Sequence, residues 1–359
     1  METQRKIIHC DCDCFYASIE MRDNADLVDK AIAVGGSPER RGVVATCNYE
    51  ARKFGIHSAM SSAIARKRCP HLIIIKPDME KYRRVSQQIH RIFETYTPLI
   101  EPLSLDEAYL DVTECKKYRG SATLIAEAIR AEVRKKINIT ISAGIAPNKF
   151  LAKIASDWNK PNDQFCILPR EVDNFVALLP VKKLHGVGKV TTSKMKRMGV
   201  ETCNDLREFS SDQLQKYFGS FGQTLHQLSR GIDQRPVQTQ RIRKSVSVEN
   251  TYATDLPSLQ NCLEELPGLM QQLAKRMEKL NEDYAIHKQF IKIKFYDFVQ
   301  TTVEMLSDTC NTDNYIKLCK DGFARRSIPV RLLGIGVRLV PKQETTEATC
   351  NQLILTLED

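Results

Sequence analysis

Three carboxylates on two short apolar runs carry the strongest chemical signal in the chain. Asp11 lies near the end of Ile7-Ile-His-Cys-Asp-Cys12. Asp106 and Glu107 are adjacent within Ile100-Glu-Pro-Leu-Ser-Leu-Asp-Glu-Ala-Tyr-Leu-Asp-Val112. Successive side chains on a strand point to opposite faces, so Asp106 and Glu107 can serve one site only where the chain turns. Leu103 and Leu105 before the pair, and Ala108, Leu110 and Val112 after it, fit a hairpin with the pair at its bend. If the first run pairs beside that hairpin, three carboxylates converge, and like charges so close are hard to hold together without cations. Oxygen-only ligands favour magnesium, and two magnesium ions held this way are the apparatus of phosphoryl and nucleotidyl transfer. For Asp106 and Glu107 alone, an acidic surface hairpin is the competing reading.

The elements that must position these groups can be read from periodicity. Strand-like runs at 6–14, 31–36, 42–47, 72–75 and 140–146 alternate with helix-like runs at 15–22, 49–54, 78–96 and 123–136. Pro147 then opens a helix carrying Lys149 and Lys153. The order strand, helix, hairpin, helix, strand, with an excursion between residues 15 and 78, predicts an α+β domain. From about 169 to 231 the sequence is helical and punctuated by glycine, and 233–244 reads as an exposed basic linker. Residues 245–340 return to α+β texture, with strands near 245–252, 289–296, 300–306 and 331–339 and helices near 258–280 and 312–321.

The chain has 359 residues, enough for two or more domains, and a net charge of +9, which suits a polyanionic partner. No apolar run approaches a membrane span and no signal-peptide pattern opens the chain, so a cytoplasmic protein is expected. Its 12 cysteines form no CxxC pair and read as free thiols of a reducing compartment. A spacing of two puts Cys10, Cys12 and Cys14 on one strand face and Asp11 and Asp13 on the other. The cysteines then act as small core hydrophobes rather than zinc ligands.

Other segments offer phosphate chemistry. Leu184-His-Gly-Val-Gly-Lys189, followed by helical sequence with Lys194, Lys196 and Arg197, fits a hairpin whose glycines let backbone N–H groups approach a DNA phosphate. An ordinary helix–helix turn is the alternative. In Cys47-Asn-Tyr-Glu-Ala-Arg-Lys-Phe-Gly55, Tyr49 and Arg52 share a helix face and could grip a triphosphate, or merely face solvent. Lys160, in Ser156-Asp-Trp-Asn-Lys-Pro161, would add a point charge. Arg243, Lys244, Arg331 and Arg338 are among the basic residues of the second half.

Taken together, these motifs resemble the Y-family DNA polymerases of lesion bypass. The resemblance runs from Lys6 to about Val340. It is carried by Ile8-His-Cys-Asp-Cys-Asp-Cys-Phe-Tyr16, Ala45 to Gly55, Ser104-Leu-Asp-Glu-Ala-Tyr-Leu-Asp111, Ser142 to Ala146, Lys149 to Asp157, Asn159-Lys-Pro161 and Gly186-Val-Gly-Lys189. It implies a right hand: a palm of residues 1–15 and 78–168, small fingers at 16–77, a helical thumb with a helix–hairpin–helix at 169–232, the linker at 233–244 and a C-terminal α+β little finger at 245–341. It implies that Asp11, Asp106, Glu107 and the backbone carbonyl of Cys12 hold two magnesium ions, so the Cys12 thiol is incidental. Tyr16 matches the steric gate against a ribose 2′-hydroxyl, and Tyr49, Arg52 and Lys160 match the triphosphate grip. Gly186, Gly188, Lys189, Arg243, Lys244, Arg331 and Arg338 are the expected DNA contacts. Partners would be primer–template DNA and deoxynucleoside triphosphates, with no membrane, a monomeric state and no proofreading.

In the tail, 342–359, Gln352-Leu-Ile-Leu-Thr-Leu357 resembles the peptide by which bacterial polymerases dock on the sliding clamp. Gln352, Leu353, Leu355 and Leu357 are its anchors, and Glu358 and Asp359 follow where some relatives stop. A nucleotidyl cyclase-like palm enzyme and a non-catalytic DNA-binding scaffold are the alternatives. The glycine hairpin, basic C-terminal half and clamp-like tail argue against the first, and the intact carboxylate set against the second.

Overall fold

In the computed structural model, which describes residues 4–280 and 283–342, Ile7–Cys12 is the middle strand of a five-stranded sheet. The spatial order is Ile100–Pro102, Glu107–Asp111, Ile7–Cys12, Ile141–Ala146, Gln164–Cys166, antiparallel except for the last pair. Its register puts Asp11 opposite Glu107 on one side and opposite Ser142 on the other. Alternation then sorts the side chains. Ile8, Cys10 and Cys12 enter one core, and Ile7 enters a second core on the opposite face.

Two amphipathic helices cover the cysteine face. Met79–Glu94 is capped by Asp78, whose carboxylate accepts from the N–H groups of Glu80 and Lys81, and it buries Tyr82, Val85, Ile89, Ile92 and Phe93. Ala122–Ile137 buries Ile125, Ile129 and Val133. Both stripes follow helical spacing. The expected strand at 6–14 stops at Cys12, because Cys14 takes a left-handed conformation (φ 41°) and caps the helix Phe15–Asp23. All three cysteines are buried in this core, and burial pushes the Cys10 thiol up to about 12.

The opposite face receives Lys149–Ser156, capped by the Asn148 side chain. This helix comes so close that a Cβ at Gly144 would lie 2.0 Å from the Ala152 carbonyl oxygen and 2.2 Å from the Ser156 nitrogen. Only glycine allows that approach, and the approach sets where Lys153 and Ser156 stand.

The excursion forms its own three-stranded sheet, with Ile32–Gly35 between Val44–Cys47 and Ile73–Ile75. Farther on, short helices from Val172 to Leu228 share the second core. Within them the turn before Lys189–Arg197 needs its glycine, since Gly186 has φ +87° and faces the Phe221 ring.

The chain divides into two compact units near Gln240, apart from Ser37–Gly42 and Ser61–Ala63, which group with the second. The second unit is an antiparallel sheet in the order Gln300–Leu306, Tyr284–Phe295, Val330–Pro341, Ser245–Leu256. Helices Leu259–Met277 and Thr312–Ala324 share its core. Among the described residues no helix is long and apolar enough to cross a membrane.

The linker is exposed along most of its length, as expected, but Asp233 is buried and the backbone of its first part is tied down. Asp233 accepts from the Phe150 N–H at 3.0 Å, Arg5 donates to the Asp233 carbonyl at 2.6 Å, and Lys149 donates to the Pro236 carbonyl at 3.1 Å. Gln238 to Lys244 are all exposed, with Arg241, Arg243 and Lys244 as the basic residues among them. The expected clamp peptide, Gln352 to Leu357, lies outside the described residues.

Candidate active site

The hairpin turns between Pro102 and Glu107, with Asp106 in the turn and Glu107 at the start of the returning strand. The Cys12 N–H donates to the Asp106 carbonyl at 2.9 Å, which locks the turn to the end of the first strand. Asp11 and Asp106 both line a cavity of about 290 Å³ with Cys12, Tyr16, Arg52 and Lys160. Asp11, Glu107 and His9 bring ligand atoms within 4.8 Å of one another. Glu107 borders a separate cavity of about 330 Å³, lined by Lys153, Lys183, His185 and Arg235 among others.

Cations interlock with these acids. Lys160 Nζ is 2.6 Å from Asp11 Oδ1 and 3.1 Å from Asp157 Oδ1. Burial pushes the Asp11 carboxyl up to about 6, and Asp106 adds to that against the pull of Lys160. Burial opposes the Lys160 charge, but Asp11 and Asp157 more than restore it. Glu107 goes the other way. Burial works against its charge, yet hydrogen bonds from His9 and Lys153 outweigh it and hold the carboxyl down at about 2. His9 is buried and its pKa is pushed down to about 4, chiefly by that burial. Ser104 Oγ donates to Asp106 Oδ1 at 2.5 Å. The donor set is all oxygen at Asp11, Asp106 and Glu107, and Asp11 ionises only at a cost that a nearby cation would offset. The residues present fit a hard divalent ion.

The remaining candidates surround the first cavity. Tyr16 stacks on buried Tyr82, with ring centroids 4.2 Å apart and planes 12° apart, which fixes the angle of its ring. The single turn Tyr49–Arg52 brings the Arg52 guanidinium over the Tyr49 ring at 4.5 Å. The two residues share a face, as their spacing predicts, and Arg52 reaches the cavity.

The expected DNA contacts lie elsewhere. Gly186, Gly188 and Lys189 are exposed at the start of their helix, and a Cβ at Gly188 would meet nothing within 4 Å. Lys194 is committed within the fold, donating to the Tyr217 carbonyl and lying 4.9 Å over the Phe218 ring. In the second unit Arg243 and Lys244 are exposed, Arg331 lies 4.7 Å over Phe298, and Arg338 pairs with Glu304 at 3.3 Å.

Sequence reading missed His9, Asp13, Lys153 and Ser156 as parts of the site. Asp13 is buried and accepts from Ser142 Oγ at 2.8 Å, from the Asn162 N–H at 2.8 Å and from the Tyr49 hydroxyl at 3.5 Å. It thereby joins three segments of the site. The available signal was a polar residue inside an apolar strand run, since such a group is buried only with partners.

Comparisons with known proteins agree along the whole chain. Residues 10–157 match the impB/mucB/samB family, 182–233 the thumb domain of DNA polymerase-iota, and 243–350 the impB/mucB/samB C-terminal domain. A DNA polymerase IV of Ralstonia nicotianae is 60% identical over 354 residues, covering 99% of this chain and 98% of that protein. A DNA polymerase IV of Pseudomonas syringae pv. tomato is 59% identical over 337 residues, covering 94% and 96%. Among solved structures, a Y-family DNA polymerase chimera, Dbh-Dpo4(243-245)-Dbh, superposes with a TM-score of 0.84 at 27% identity, covering 93% of this chain and 98% of that one. The fold is thus a right-hand polymerase with a helical thumb and a C-terminal little finger, its substrates are primer–template DNA and deoxynucleoside triphosphates, and the cyclase and scaffold alternatives fall. The chain belongs to the Y-family of DNA-directed DNA polymerases, the enzymes of translesion synthesis.

Proposed function

We propose that Asp11, Asp106 and Glu107 hold two magnesium ions for nucleotidyl transfer, with the Cys12 carbonyl completing one shell. The observation that carries this is the strand register, which sets Asp11 against Glu107 while Asp106 occupies the adjoining turn. Asp11 and Asp106 would touch both ions, and Glu107 the catalytic one. When bound, such ions lower the pKa of the primer 3′-hydroxyl and offset charge on the transferring phosphate. The incoming nucleotide occupies the cavity lined by Arg52 and Lys160, where these cations, with Tyr49 behind Arg52, grip its triphosphate. The Tyr16 ring, held by Tyr82, fills the space a 2′-hydroxyl needs. The primer end lies beside Glu107, in the cavity that Lys153, Lys183 and Arg235 help line.

In this reading 1–15 and 78–168 are the palm, 16–77 the fingers, 169–232 the thumb, 233–244 the linker, 245–341 the little finger and 342–359 a tail. DNA is gripped without regard to sequence by the backbone at Gly186 and Gly188, by Lys189, and by Arg243, Lys244, Arg331 and Arg338. Synthesis proceeds without proofreading, by a monomer in the bacterial cytoplasm, and Gln352, Leu353, Leu355 and Leu357 tether it to the sliding clamp.

Extension of a primer by ribo- and deoxynucleotides, with wild type and Tyr16→Ala, tests the site. Wild type should extend according to the template and reject ribonucleotides, and Tyr16→Ala should accept them. An unchanged ratio would remove Tyr16 from the role of gate. Deleting 352–359 should abolish stimulation by a loaded clamp and leave clamp-free synthesis as it was. Equal stimulation of both forms would place the tether elsewhere.

A further inference from the structure

Behind Glu107 lies a buried chain of polar groups. His9 is 0% exposed, its Nε2 is 3.2 Å from Glu107 Oε2, and its Nδ1 is 2.8 Å from Ser156 Oγ. Its ring tilts against Tyr109 with centroids 4.8 Å apart. Serine, histidine and glutamate in this order have the make-up of a hydrolytic triad. The site rules that out, because Ser156 is 2% exposed and its hydroxyl lies against the Lys153 carbonyl at 2.8 Å, out of reach of any substrate.

Counting protons gives another role. A neutral imidazole has one N–H and one acceptor nitrogen, and a carboxylate only accepts. Nε2–H therefore faces Glu107, and Nδ1 is left as an acceptor 2.8 Å from Ser156 Oγ, whose single proton is shared between Nδ1 and the Lys153 carbonyl. Lys153 also donates to Glu107 Oε2. With Oε2 engaged by two donors, Oε1 is the oxygen left to face a cation. The two donors differ in freedom. Lys153 has a long side chain that is one-third exposed, whereas His9 is enclosed between Ser156 and Tyr109. The helix that supplies Ser156 is held there by the close approach at Gly144.

We propose that His9 is a positioning residue for Glu107: it holds Oε2 so that Oε1 is presented to the metal ion, while Ser156 Oγ sits beside the other ring nitrogen. This rests on Glu107 being a metal ligand. Outer partners that orient a ligand typically change metal affinity on the order of 10-fold or more when removed.

The test uses Mn²⁺ as the probe, followed by the paramagnetic resonance of the free ion. The protein is loaded with a dideoxy-terminated primer–template and the matching deoxynucleotide, so no turnover contributes. His9→Gln puts an amide N–H where Nε2–H stands, while His9→Asn puts one only at the Nδ1 position. Thermal melting of each variant checks folding. His9→Asn should weaken Mn²⁺ binding about 10-fold, His9→Gln should restore most of it, and Ser156→Ala should fall between wild type and His9→Asn. Equal Mn²⁺ affinity in the Asn and Gln variants would overturn the proposal, since the ring would then be only a packing piece. Glu107→Gln separates the two levels. If it loses Mn²⁺ while His9→Asn does not, the positioning role fails and the ligand assignment stands. If Glu107→Gln binds as wild type does, the ligand assignment itself is wrong.

Discussion

The five-stranded sheet around Ile7–Cys12 and the four-stranded sheet around Val330–Pro341 share a plan, with strands that are largely or wholly antiparallel and two helices packed on one face. They part on the other face. In the first, Lys149–Ser156 closes over the strands, His9 is fully buried, and the partly buried pairs Lys160–Asp11 and Lys153–Glu107 sit beside it. In the second, charges pair across exposed strand surface: Lys288 and Arg338 with Glu304, and Lys292 with Glu249. Pairs packed this way hold one geometry, which chemistry at a phosphorus atom requires. Exposed pairs contribute little to stability, on the order of 0–1 kcal/mol, and can exchange a carboxylate for a phosphate without regard to sequence. Substitutions in the first sheet should therefore act sharply and specifically, and those in the second gradually and through salt.

The largest effect should come from Asp11→Ala. Loss of an ion-holding carboxylate is expected to cut single-turnover extension on the order of 10³-fold. DNA affinity should stay near wild type, and a titration beside the rate measurement checks both. A matched fall in affinity would erase the distinction between the two sheets.

Gly144→Ala tests how tightly the first sheet is closed. A methyl group 2.0 Å from the Ala152 oxygen must push the helix away, at a cost on the order of 1–3 kcal/mol. Lys153 and Ser156 would move with it. A lower melting temperature together with slower extension is expected, and an unchanged melting curve would show that the helix gives way freely.

Asp233 sharpens the account of the strapped linker. Burial opposes its charge, but Arg235 and the Phe150 N–H outweigh that and lower its pKa. A lowered carboxyl stabilises the fold above its unfolded pKa, about 3.9, and that contribution fades as pH falls through the folded value. Asp233→Asn should be less stable at pH 7, by on the order of 2 kcal/mol, and the gap should close in acid. Thermal melting across pH reads this directly, and a gap that widens in acid would reverse the sign.

The smallest effect belongs to the second sheet. Arg338→Ala should weaken DNA binding uniformly across sequences and reduce the salt slope by about one. Its extension rate at saturating DNA should match wild type. A sequence-dependent loss would mean that this face reads bases.

Legibility followed how local each interaction is. The hairpin at Asp106 and Glu107, the cysteine face, and the second unit's strands and helices depend on alternation and helical spacing within short windows, so they could be read from the sequence. The partners of Asp13 come from Ser142 and Asn162, more than a hundred residues away, and no local pattern announces them. The linker shows the same limit: it is mostly exposed, as its basic composition suggests, but no local pattern announces that Arg5 and Lys149 tie down the backbone of its start from far upstream. Likewise, nothing near Lys194 in sequence announces its contact with the Tyr217 carbonyl.

Single-turnover extension by Asp106→Asn at saturating primer–template and magnesium tests the central claim most directly. The change preserves the size of the side chain and the Ser104 contact can adapt, so the turn should persist while one charge is lost. Extension should fall to a trace with DNA affinity unchanged. Extension at a rate close to wild type would contradict it and move the chemistry away from the hairpin.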